Sequence, residues 1–156
     1  MPSIAGNTVT RRGPTTLSPK RGAAVLRYSL CRRGVEQMRA DADEAALRFA
    51  AAGIVAPTVP IGQGIARVLC GDLDGGDAFL EDAIRIGEKV ASPDVLVRAL
   101  CQRSLLAMAR NQWSQAEGFA SQARSVLHQA GIEKYSLLCA LQARAAVHRG
   151  DVPAAR

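Results

Sequence analysis

From residue 22 onward, apolar side chains return every three or four positions, and polar residues fill the gaps between them. That spacing predicts amphipathic helices at about 22–32, 35–52, 59–70, 74–90, 94–110, 113–130 and 134–149. No stretch alternates apolar and polar residues as a half-buried strand would. Between the predicted helices stand the usual breakers: Gly53 and Pro57, Gly71-Asp72, Ser92-Pro93-Asp94, Asn111, Gly131 and Gly150-Asp151. Ser92 reads as an N-cap, with Pro93 at the first helical position and Asp94 in the first turn.

The turns recur. Arg33-Gly34-Val35, Gly71-Asp72-Leu73, Asn111-Gln112-Trp113 and Gly150-Asp151-Val152 lie 38, 40 and 39 residues apart. A large apolar residue follows each turn: Val35, Leu73, Trp113 or Val152. An inward stripe continues from it: Met38, Ala42 and Ala45; then Gly76, Leu80 and Ala83; then Ala116, Ala120 and Ala123. Nine residues before the post-turn apolar residue comes a small one, Gly64, Ser104 or Ala143. A small residue there lets paired helices approach closely. The expected fold is all-α: about seven helices in antiparallel hairpin repeats, stacked as a short right-handed superhelix over 22–156.

Composition fits that expectation. Hydrophobic residues reach 48% while aromatics are only 4%, so the core must be built from small and aliphatic side chains, as closely packed helices allow. The net charge of +6 is concentrated at the start: residues 1–35 hold seven basic side chains, and the first acid is Glu36. Residues 1–21, rich in proline, glycine and hydroxyls, read as a basic disordered head. There is no signal-peptide pattern and no apolar run long enough to span a membrane, so a cytoplasmic protein without membrane contact is expected. Cys31, Cys70, Cys101 and Cys139 form no CxxC pair and sit among apolar residues, where reduced cysteines act as small hydrophobes.

The turns and stripes resemble tetratricopeptide-like repeats, most clearly Gly71-Asp72-Leu73 with Gly76, Leu80 and Ala83, and Trp113 with Ala116, Ala120 and Ala123. The period is longer than the common unit of about 34 residues. Gln63, Arg103 and Gln142 stand where a leucine is usual. The segments GDLDGGDAFLEDAIRIGE, SLLAMARNQWSQAEGFASQARSVL and ARAAVHRGDVPAAR are similar to the helical sensor region of large ATP-dependent LuxR-family transcriptional regulators of the maltose-regulator-like class. The resemblance implies a non-catalytic module for protein interaction or effector sensing. The phosphate loop and helix-turn-helix of those regulators are absent from the sequence, and the last repeat stops after one turn, so a truncated relative is expected.

No pattern points to catalysis, a metal or a cofactor. His128 and His148 fall at predicted helix ends, where a cation complements the macrodipole. Asp72, Asp74, Asp77, Glu81 and Asp82 lack the closing glutamate of a calcium loop and read as acids near a helix N-terminus. Gly71, Gly75 and Gly76 follow a helix rather than the strand a phosphate loop needs. Trp113 reads as a packing anchor. A hydrolase or transferase finds no supporting constellation.

By analogy with tetratricopeptide-like units, the first helix of each pair lines a concave face: Ile61, Ile65 and Val68; Cys101, Leu105 and Met108; Ala140, Arg144 and Val147. That mostly apolar face suits a protein or peptide partner, a second copy at the open repeat end included. The alternative is a small nucleic-acid-associated protein whose residues 1–33 bind phosphates through Arg11, Arg12, Lys20, Arg21, Arg32 and Arg33. No aromatic residue except Tyr28 interleaves with those cations to form a stacking platform.

Overall fold

A computed structural model describes residues 19–151; the expected disordered head lies outside them, except for its last three residues. The described residues form seven α-helices and no strand: α1 (Pro19–Leu30), α2 (Val35–Ala50), α3 (Thr58–Leu69), α4 (Leu73–Lys89), α5 (Pro93–Ala109), α6 (Trp113–Gln129) and α7 (Ser136–His148). Helix α1 takes in residues 19–21, which the sequence reading gave to the head. Pro19 at its first position needs no amide partner and has a backbone angle suited to a helix start. None of the described helices is long and apolar enough to cross a membrane.

Each helix packs on its neighbours in sequence, and α1, α3, α5 and α7 also touch one another in a row. Helices α2, α4 and α6 do not approach one another at backbone distance. The stripe read from the sequence faces inward. Met38, Ala42, Ala45, Gly76, Leu80, Ala83, Ala116, Ala120 and Ala123 are buried, and Val35, Leu73 and Trp113 are half-buried. Burying one such leucine, Leu80, contributes about 2 kcal/mol.

Small residues set the spacing within each pair. Gly64 and Gly76 face each other between α3 and α4: a methyl on Gly64 would sit 2.8 Å from Leu80 Cγ and 2.9 Å from the Gly76 carbonyl oxygen. Forty residues on, buried Ser104 donates from Oγ to the Ala116 carbonyl at 2.8 Å, joining α5 to α6 at the matching place. The expected close approach is present in both pairs.

Chain reversals also share one geometry. Helices α3 to α7 each end, two residues past the last helical position, in a left-handed residue: Gly71, Ala91, Asn111, Gly131 and Gly150. These positions are spaced 20, 20, 20 and 19 residues apart. At each one, the left-handed residue's N–H bonds the carbonyl three residues back, and the next N–H reaches five back, as in Gly71 to Val68 (3.0 Å) and Asp72 to Arg67 (3.0 Å). Helix starts vary more. The Asp72 carboxylate accepts from the Gly75 amide at 2.9 Å, capping α4. Ser92 occupies the N-cap position of α5, but its side chain makes no capping bond, so Pro93 carries the start.

Charge is sorted by helix. Ten of the fourteen acids lie on α2, α4 and α6, whereas Asp94 is the one acid on α1, α3, α5 or α7. Arginines on the acid-poor row reach across to the acid-rich helices. Arg67 (α3) bonds Asp43 (α2) at 3.1 and 3.3 Å, and its guanidinium lies 4.2 Å from the ring centre of Phe79 (α4). Arg103 (α5) bonds Asp77 (α4) at 2.7 and 3.0 Å and lies 4.6 Å from the ring of Phe119 (α6). Each guanidinium thus bridges two helices whose backbones do not approach one another.

The residues that replace the usual leucine belong to this arrangement. Gln63 donates to Asp43 at 2.7 Å. Arg103 holds Asp77. With its amide oriented to satisfy both groups, Gln142 accepts from Arg124 Nη2 at 2.6 Å and Nε at 2.9 Å. All three reach from their own helix to the one before it.

Candidate interaction groove

The expected concave face is only partly a surface. Ile61, Cys101 and Met108 are buried, which corrects their assignment as lining residues. The physical reason is the direct contact of α3 with α5 and of α5 with α7, which turns part of the apolar stripe into the seam of the row. Burial pushes the Cys101 thiol up to about 11. Ala140, Arg144 and Val147 are exposed along α7.

Ile65, Val68 and Leu105 do converge. With Leu69, Leu80, Gln102, Leu106 and Ala109 they line a groove of about 240 Å³ between α3 and α5. Leu69, Gln102, Leu106 and Ala109 were missed, and Leu80 was assigned only to the inward stripe. The signal was present one helical turn along, since Leu69 is four residues beyond Ile65 and Ala109 four beyond Leu105. Leu69 is 54% exposed, so the groove has an apolar lip as well as an apolar floor. None of its lining side chains is charged. Ligand pockets for drug-sized molecules start near about 300 Å³. This groove is smaller and suits one or two large apolar side chains better than a cofactor.

Ser104, His148 and Trp113 each make a defined contact. Ser104 is buried and donates to a backbone carbonyl. His148 is exposed and stacks on Trp113, with ring centres 3.7 Å apart and planes within 9°. Trp113 in turn donates from Nε1 to Asn111 at 2.7 Å, so the anchor is half-buried and has a polar tie at its edge. His128 lies exposed in the last turn of α6. Among the described residues, no three His, Cys, Asp or Glu side chains are gathered to hold a metal.

Among the described residues, the cations considered for nucleic acid lie at the two ends of α1. Lys20 and Arg21 open α1, while Arg32 and Arg33 follow its end; a twelve-residue helix separates them by about 18 Å. The Arg21 Nε is buried without a hydrogen-bond partner among the described residues. Arg11 and Arg12 lie outside the described residues.

Compared with protein-family models, with characterised proteins and with solved structures, the chain matches none.

Proposed function

We propose that this chain is a non-catalytic interaction module of the tetratricopeptide-like repeat type, using the α3–α5 groove to hold apolar side chains of a protein or peptide partner. The observation that carries the reading is the groove itself: eight uncharged residues around about 240 Å³, with Leu69 exposed at the lip. The repeat assignment is supported by left-handed helix endings about every 20 residues and by the matching contacts of Gly64 with Gly76 and Ser104 with Ala116. A regulatory setting like that of LuxR-family sensor regions is our proposal from sequence resemblance. The split of the basic residues along α1 favours a protein partner over nucleic acid.

The test is affinity capture from the native host with the full chain and with Leu69→Glu/Leu105→Glu, quantified by mass spectrometry and followed by titration of the purified partner. The reading expects a partner held by the native chain and weakened at least about tenfold by the variant, because a carboxylate in the groove must be desolvated. An unchanged partner set, with both proteins equally helical by circular dichroism, refutes it. Duplex DNA binding that falls with Arg32→Ala/Arg33→Ala and with salt would favour the nucleic-acid alternative instead.

A further inference from the structure

The outer face of α1 departs from the rest of the row. Count back from the left-handed residue that ends each helix: Cys31 for α1, Gly71 for α3 and Asn111 for α5. Five residues before it stand Leu26, Ala66 and Leu106. Ala66 and Leu106 are buried, whereas Leu26 is 61% exposed, as is Leu30 one turn on. Eight residues before it stand Ala23, Gln63 and Arg103. Gln63 and Arg103 both reach carboxylates on the preceding helix. Four residues before it, Arg27 matches Arg67, which holds Asp43 on the preceding helix. The face that seats α3 and α5 on the helix before them is therefore open on α1.

A groove of about 580 Å³ lies there, with Ala23, Leu26, Leu30 and Met38 among its lining residues. Its charge is mainly positive. Arg27 bonds Asp41 at 3.3 Å and Glu44 at 2.6 Å, yet remains 43% exposed. Arg32 and Arg33 line the same groove, are exposed, and have no hydrogen-bond or ion-pair partner among the described residues. We infer that this groove docks an acidic amphipathic helix from another protein, seated on α1 as α2 is seated on α3.

The chemistry of that partner follows from the groove and from the junctions within the chain. Leu26 and Leu30, four residues apart, call for an apolar stripe. Asp43 and Asp77 show that arginines of this row take a carboxylate from the helix before them; Arg27 stands where Arg67 does, and the exposed Arg32 and Arg33 beside it add to the call for acids on the partner. Residues 1–18 contain no acid and carry Arg11 and Arg12, so charge disfavours them as the occupant. Two copies meeting through this face would oppose Arg27, Arg32 and Arg33 with the same residues.

The test uses the full chain and two fluorescein-labelled synthetic helical peptides. One has a leucine stripe flanked by glutamates; its twin has lysines in place of the glutamates. By fluorescence anisotropy the glutamate peptide binds saturably and the lysine twin at least about tenfold more weakly. Leu26→Glu/Leu30→Glu and Arg32→Glu/Arg33→Glu each weaken it at least about tenfold, while Leu105→Glu in the α3–α5 groove leaves it unchanged. The substituted α1 side chains are exposed, and circular dichroism checks that each variant remains helical. Equal binding of the twins, indifference to the α1 changes, or the absence of saturable binding overturns the inference. So does sedimentation showing that the face instead joins two copies of the chain.

Discussion

Replacing Arg103 with alanine removes a bridge as well as a charge. The Arg103 side chain is 15% exposed and Asp77 27%, so the pair lies between a surface ion pair, worth at most about 1 kcal/mol, and a buried one, whose breakage costs about 3–5 kcal/mol. Asp77 can rehydrate once abandoned, which places the ionic loss near about 1.5–2 kcal/mol. The Phe119 contact adds about 0.5–1 kcal/mol. Arg103→Ala should therefore destabilise the fold by about 2–3 kcal/mol in urea denaturation, with an unchanged slope. Arg85 provides the control. It pairs with Asp82 on the same helix and is 75% exposed, so Arg85→Ala should cost less than about 0.5 kcal/mol. A double-mutant cycle with Asp77→Ala should return a coupling of about 1–2 kcal/mol, and Arg103→Lys should fall between native and alanine because it keeps the charge and loses the fork. Equal costs for Arg103→Ala and Arg85→Ala, or a coupling near zero, would refute the bridging argument.

Four other outcomes are expected. Gly64→Ala should destabilise by about 1–3 kcal/mol, because the methyl meets Leu80 and the Gly76 carbonyl, whereas Gly118→Ala, with open space around it on α6, should stabilise by about 0.5–1 kcal/mol in the same thermal melts. Ala91→Gly should raise stability by about 1 kcal/mol, since φ of 50° suits glycine better than alanine. A thiol reagent at neutral pH should label exposed Cys139 first and buried Cys101 only on unfolding, read by peptide mass spectrometry. Alkali should weaken the fold. The Cys101 thiol is raised from 9.0 to about 11 by burial, so its contribution is complete below pH 9 and is lost as pH climbs through 11. Burial shifts Tyr28 and Tyr135 in the same direction. Denaturant midpoints measured across that range check the sign.

Much of the fold was legible because a helix writes its buried face every three or four residues. Met38, Leu80 and Ala116 could be assigned inward from spacing alone, and Gly64 and Ser104 marked the close approaches. Helix ends were less legible where Ala91 adopts the left-handed conformation without the usual glycine. The groove was harder still. Ile61 and Cys101 look like Ile65 and Leu105 in sequence, and only the contact between next-but-one helices separates seam from surface. Gln63, Arg103 and Gln142 read as departures from an expected leucine. Their partners lie 20, 26 and 18 residues earlier, a separation that no local spacing rule connects.

The sorting of charge between alternate helices bears on how such a chain can grow or shrink. Deleting α3 and α4 together would leave Arg103 of α5 facing α2, which carries four acids. Deleting α4 alone would set Arg103 of α5 against α3, which carries no acid, and deleting α3 alone would set the carboxylates of α2 against those of α4. Like charges so placed cost stability. Loss of a helix pair of about 40 residues would thus be tolerated better than loss of one helix of about 20, even though the endings of α3 to α7 share one geometry.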